Sequence, residues 1–175
     1  MSNVNRYTRT AMVFHWSLAF LIIAMLAFGW SIDLIPPGST RHWFQNLHKL
    51  VGCVVLLMGF ARIAWRITHR PPEAPSVPRI QAVLAALVHL ALYGFMLVMP
   101  LSGLLFTNYG RGVKIFSWSA PQVLGAPDDD LQAFFLGVHG YAPYVFLALI
   151  VVHIAAALWH QFVLRDKTIN RMLPE

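Results

Sequence analysis

The stretch GVHGYAPYVFLALIVVHIAAALWHQFVL, residues 137–164, carries His139, His153 and His160 and no Asp, Glu, Lys or Arg. It lies inside 34 uncharged residues between Asp130 and Arg165. A helix needs about 20 apolar residues to cross a bilayer, so this stretch reads as a membrane span. Its histidines are periodic. Fourteen helical steps from His139 to His153 return to within about 40° of the starting direction and rise about 21 Å. The two imidazoles therefore share one face, one near each side of the membrane. His160 follows seven residues later, about 20° further round and about 10 Å deeper. A titratable side chain within a span is costly and points to function. Two inward imidazoles this far apart suit two stacked cofactors, because the ligands of a single metal ion must converge.

Working outward, 23 uncharged residues separate Arg9 from Asp33 and 31 separate Arg79 from Arg111. These give spans near 10–32 and 80–107. A fourth span, near 43–66, requires Lys49 and Arg62 to lie towards its ends and snorkel. The first span is read as a membrane helix rather than a cleaved leader. Pro36-Pro37-Gly38 separates the first two spans; Pro71, Pro72, Pro75 and Pro78 separate the second and third. A long loop over 108–136 holds Pro121, Pro127 and Asp128-Asp129-Asp130. Its apolar middle, 113–118, suits either the membrane interface or an ordinary folded loop. Pro100 is expected to kink the third span. The expected architecture is one all-α domain over 1–175, an up-down four-helix membrane bundle.

Composition agrees. Apolar residues make up 58% of the 175 and charged residues 11%, too apolar a balance for a soluble domain of this size. The lone Cys53 excludes an internal disulfide framework, a zinc–thiolate cluster and the C-x-x-C-H attachment of covalent haem. Lys and Arg are biased to one side. Arg6, Arg9, Arg62, Arg66, Arg70, Arg79, Arg165, Lys167 and Arg171 lie at or near the termini and the middle loop; Arg41, Lys49, Arg111 and Lys114 lie opposite. The positive-inside rule then places both termini in the cytoplasm. This bias accounts for the formal charge of +6, and no separate basic stripe suggests nucleic acid.

Of the eight histidines, His42 and His69 fall at helix ends. His15, His48 and His89 join the three on the last span. Haem b is the cofactor these residues suit: its iron takes two axial imidazoles from opposite sides, and its macrocycle needs an apolar slot between helices. His48 with His139 forms an outer pair. The inner pair draws on His15, His89, His153 and His160. Ala11, Ala19, Gly52 and Ala157 are small neighbours that would let a porphyrin approach. Arg62, fourteen residues after His48, falls at the inner depth, where it either pairs with a haem propionate or snorkels.

The chain resembles the bacterial cytochrome b561 family over nearly its whole length. The resemblance rests on Arg6-Tyr7-Thr8-Arg9 followed by His15-Trp16, on His48 opening the second helix, on His139 and His153 on the fourth, and on Arg165-Asp166-Lys167-Thr168 with Arg171-Met172-Leu173-Pro174. It implies a di-haem, quinone-linked cytochrome in the bacterial inner membrane. His15 would pair with His153 at the cytoplasmic haem and His48 with His139 at the outer haem. Depth counted from flanking charges instead sets His15 nearer His160. His89 and His160 remain as candidates for a quinone site, where imidazole would relay protons, or as buried polar side chains bonded within the bundle.

The resemblance implies oxidation of superoxide on the periplasmic side and reduction of ubiquinone near the cytoplasmic side, with the basic outer residues attracting the anion. A second reading is a membrane subunit passing electrons between a partner dehydrogenase or hydrogenase and quinone. A third, a haem-free transporter with histidine relays, would want acidic residues or broken helices within the spans, and the spans contain no Asp or Glu.

Overall fold

The computed structural model describes residues 6–73, 77–120 and 124–174. Pro75, Pro121 and the Arg111 side chain fall outside the described set. Four helices carry the chain: α1 (Arg9–Ile32), α2 (Ser39–Thr68), α3 (Arg79–Arg111) and α4 (Asp129–Trp159). All four are long and apolar enough to cross a membrane. The end of the bundle that carries the chain termini is called lower here, and the opposite end upper.

Local chemistry sets the helix ends. The Thr8 hydroxyl caps α1 by accepting from the Ala11 N–H at 3.3 Å. Gly112, at φ 78°, terminates α3 in a conformation that disfavours a side chain. The fourth helix starts well before the span expected near 137. The Asp128 carboxylate accepts from the Leu131 N–H at 2.9 Å, and Asp129 and Asp130 occupy the first turn, where they complement the helix dipole. The acidic run is therefore a helix start, which hydropathy alone does not register. Two prolines, Pro100 in α3 and Pro143 in α4, lie within continuous helices. The second follows His139 by one turn, so Pro100 is not, as the sequence reading has it, the only proline within a span.

Helices pack in chain order, α1 on α2, α2 on α3 and α3 on α4, while α1 and α4 have little direct backbone contact. Leu18, Val55, Met96 and Phe146, one from each helix, form the buried core. Elsewhere apolar side chains point outward: Phe20 is 73% exposed and Leu57 and Leu90 are each 69% exposed. Such a surface belongs in lipid.

The expected interfacial segment of the long loop is a small antiparallel hairpin, β1 (Lys114–Ile115) and β2 (Trp118–Ser119). It seats on the upper end of α2. Ile115 is buried, Phe116 meets Trp43 edge-on at 6.0 Å, and Lys49 Nζ donates to the Lys114 carbonyl at 3.3 Å. Arg41 donates to the Ile32 and Asp33 carbonyls at 3.2 and 2.9 Å, closing the C-terminal end of α1. Arg41 and Lys49, expected as part of a free basic patch, thus have structural partners.

At the lower end, α4 passes into a π-helical turn (His160–Leu164), then into Arg165 and Lys167 at φ 55° and 59°, and a 3-10 turn (Ile169–Met172). Asp166 organises this tail. Its carboxylate accepts from His160 Nδ1 at 2.5 Å, the Thr168 hydroxyl at 2.6 Å and the Thr168 N–H at 3.0 Å. Burial opposes ionisation of Asp166, but the hydrogen bonds from Thr168 and His160 outweigh it and hold the carboxyl below its usual range. A depressed folded-state value means the stabilisation is complete above the unfolded carboxylate range, about pH 3.9, and is lost as pH falls through the folded value. Protection of the Thr168 and Ile169 amides, measured as exchange relative to the intrinsic rate at each pH, should therefore persist in mildly acidic buffer and fall only below about pH 4. Loss of protection already near neutral pH would contradict this.

Candidate functional site

The four helices repeat one spacing. Pairs of positions fourteen residues apart, His15 and Gly29 on α1, His48 and Arg62 on α2, His89 and Gly103 on α3, and His139 and His153 on α4, sort into two layers. Fourteen residues of helix rise about 21 Å. The buried core lies between the layers: Val55, Met96 and Phe146 each fall seven residues from both positions on their helix.

The upper layer holds two histidines and two glycines. His48 and His139 face each other with ring centroids 6.1 Å apart at 90°. A Cβ at Gly29 would lie 3.2 Å from His48 Cε1, and one at Gly103 would lie 2.9 Å from His139 Cε1. These glycines give the imidazoles room. His139 Nδ1 donates to the Met99 carbonyl at 2.9 Å and lies 3.2 Å from the Ser102 hydroxyl. With the proton on Nδ1, Nε2 keeps its lone pair for a metal. His48 Nδ1 is buried without a hydrogen-bond partner among the described residues. Phe28 and Phe106 flank the two imidazoles at 5.9 and 5.7 Å.

The lower layer is richer in charge. His15 and His153 stand 6.2 Å apart at 70°. His89, an exposed residue of α3, approaches His153 to 5.1 Å at 84°, and its Nδ1 donates to the Ala85 carbonyl at 2.6 Å. Arg62 Nη2 lies 3.3 Å from His15 Nδ1, and its guanidinium carbon sits 5.5 Å from the Tyr93 ring centroid. His160 is not part of this cluster; its Nδ1 is engaged by Asp166 in the tail. His42 and His69 are used locally, beside Gln45 at 3.2 Å and stacked on Trp65 at 3.6 Å.

The sequence reading by depth from flanking charges set His15 nearer His160, whereas the structure sets it against His153, with Arg62 and His89 beside them. It missed Gly29, Gly103, Ser102 and Tyr93. The fourteen-residue spacing of His15 to Gly29 and of His89 to Gly103 was the available signal. At Gly52, expected to admit a porphyrin beside His48, a Cβ would meet nothing within 4 Å, so the space beside it is open. Among the described residues, no three His, Cys, Asp or Glu side chains converge as they would around an ion ligated wholly by protein. Facing pairs suit instead a group that brings its own equatorial ligands.

A family model described as prokaryotic cytochrome b561 matches residues 6–175. The chain belongs to that family. It is 34% identical over 174 residues to cytochrome b561 homolog 2 of Escherichia coli (strain K12), covering 96% of this chain and 91% of the relative. It is 28% identical to cytochrome b562 of Cereibacter sphaeroides (95% and 94% covered) and 28% identical to a probable superoxide oxidase, CybB, of Yersinia pestis (97% and 97%). It is thus a bacterial multi-pass membrane protein of electron transport, and the family implies haem b.

The residues fit that group. Two metal–imidazole bonds of about 2 Å, plus two ring half-widths, separate ring centroids by about 6 Å. The His48–His139 and His15–His153 separations of 6.1 and 6.2 Å match this, while His89 and His153, at 5.1 Å, are closer.

The close approach at Gly103 carries a stability prediction. Gly103→Ala should destabilise the bundle by about 1–3 kcal/mol, because the His139 ring must move. Gly52→Ala, in open space, should be neutral or stabilising by about 0.5–1 kcal/mol. Thermal unfolding in detergent measures both; equal midpoints would show that Gly103 is no close contact.

Proposed function

We propose that the chain carries two haem b groups in a single electron-transfer domain over residues 1–175. His48 and His139 would hold the haem of the upper layer, and His15 and His153 that of the lower. The observation that carries this is the pairing itself: two facing imidazole couples at one separation, about two-thirds of a bilayer apart, with an apolar core between them. The excess of Lys and Arg at the lower end supports a cytoplasmic lower layer and a periplasmic upper one in the bacterial inner membrane.

Each haem, when bound, supplies reversible one-electron transfer at its iron. The chain's own residues set the conditions. Met99 and Ser102 fix the orientation of the His139 ring through Nδ1. Leu18, Val55, Met96 and Phe146 exclude water between the layers. Arg62 puts a fixed positive charge in the lower layer, where it supports a propionate. His89 donates through Nδ1 to Ala85, leaving Nε2 free to take up and pass on a proton.

The reaction proposed is superoxide oxidation at the periplasmic side coupled to ubiquinone reduction near the cytoplasmic side, with two electrons and two protons taken up per quinone. The name of the Yersinia pestis relative, a probable superoxide oxidase, supports this donor. His89 is favoured as the acceptor-side proton group because it adjoins His153. His160, the other candidate, is committed to Asp166.

A reduced-minus-oxidised spectrum with pyridine haemochrome quantification should give two low-spin b haems per chain. His48→Ala and His139→Ala should each lose the same half of the Soret absorbance, and His15→Ala and His153→Ala the other half. A colourless protein would sink the cytochrome reading, and a His48→Ala variant retaining both haems would sink the pairing. Superoxide-dependent reduction of a soluble ubiquinone then tests the donor.

A further inference from the structure

The two histidine pairs are held in place differently. His48 and His139 belong to α2 and α4, both packed on α3, and α3 also supplies the Met99 carbonyl and Gly103 against the His139 ring. Helix packing thus defines the upper pair. His15 and His153 belong to α1 and α4, which have little direct backbone contact and meet above the lower layer through side chains, with Leu18 and Phe146 sharing the core and Trp30 against Tyr144 at 5.6 Å. Something else must register α1 against α4 at the lower end.

The tail supplies that connection. Its start is fastened to the π-helical turn that continues α4: His160 Nδ1 donates to Asp166, the Asp166 N–H donates to the His160 carbonyl at 3.2 Å, Gln161 Nε2 donates to Asn170 Oδ1 at 2.6 Å, and the Ile169 N–H donates to Gln161 Oε1 at 3.1 Å. Its end is fastened to α1 and the segment before it. Trp16 Nε1 donates to the Met172 carbonyl at 2.8 Å, and the Tyr7 N–H donates to the Arg171 carbonyl at 3.1 Å. Arg171 also donates to the Glu73 carbonyl beyond α2. Trp16 is the residue after His15, and the two rings meet edge-on at 5.2 Å.

We propose that residues 165–172 form a strap from α4 to α1 that sets the spacing of the lower histidine pair, with Trp16 as its positioning residue beside His15. The proposal rests on the ligand assignment above. It assigns the tail a local role: the strap acts on the His15–His153 site and leaves the His48–His139 site alone. The hydrogen bonds to the half-buried Asp166 carboxylate are charge-assisted and so individually strong, and a tail fastened there transmits position rather than trailing in solvent.

The test uses the full-length holoprotein with single substitutions at each end of the strap. Trp16→Phe keeps an aromatic edge against His15 and removes the donor to Met172. Asp166→Ala unfastens the α4 end. Both are read by haem content and by spectroelectrochemical titration, with His15→Ala and His48→Ala marking which signal belongs to which site. The expected result is a shift in the midpoint of the lower-site haem in Trp16→Phe, with partial loss of that haem in Asp166→Ala. The upper-site signal should match the wild type in both, and Asp166→Glu should restore part of the lost haem. Wild-type midpoints and content in both variants would overturn the proposal, as would equal change at both sites, which would mean general destabilisation. Should Asp166→Ala fail to accumulate, Trp16→Phe decides alone. A wild type without haem would defeat the ligand assignment instead, so the two failures are distinguishable.

Discussion

The bundle is governed by the cost of placing imidazoles in a hydrocarbon slab. Each must find a partner inside the protein, because lipid offers none. Four helices satisfy this by presenting one face each at a fourteen-residue interval. That interval returns a helix to nearly the same direction after about 21 Å, so a single orientation of each helix serves both ends of the membrane. Rotating any one helix would misplace its contribution to both layers at once.

The layers share a plan and differ in chemistry. In the upper layer the positions opposite the histidines are glycines, which bring backbone close to the rings. In the lower layer the matching positions on α2 and α3 are Arg62 and His89. One end therefore has only imidazoles and backbone at these positions, while the other adds a permanent cation and a third imidazole. Electron acceptance coupled to proton uptake calls for such groups at the accepting end, which is the physical basis for assigning the donor to the upper side and the acceptor to the lower.

The remaining polar residues of the ends mostly serve the fold. Asp128–Asp130 begin a helix, Arg41 closes one, and Lys49 anchors the hairpin over α2. Charge alone suggests Arg41 and Lys49 as free attractors for an anion, since a sequence does not show which carbonyls lie within reach. The same limit applies to His160. Its spacing from His153 places it on the histidine face, but the π-helical turn that starts at His160 and the backbone turn at Arg165 bring Asp166 back onto its ring.

The sequence by itself determined the four spans, the two histidine-bearing depths and the family, because each rests on local properties: apolar run length, helical periodicity and flanking charge. It also placed Arg62 correctly, since residues on one helix keep their relative positions whatever the helix packs against. The pairing of His48 with His139, and through the resemblance of His15 with His153, was also legible there; only the tertiary structure decided which glycines on neighbouring helices make room for the rings, where His89 and His160 lie, and how the tail reaches Trp16. Those depend on helix rotation and neighbour choice, and on a chain reversal after α4, which arise from packing between segments far apart in sequence and leave no mark in the periodicity of any one of them.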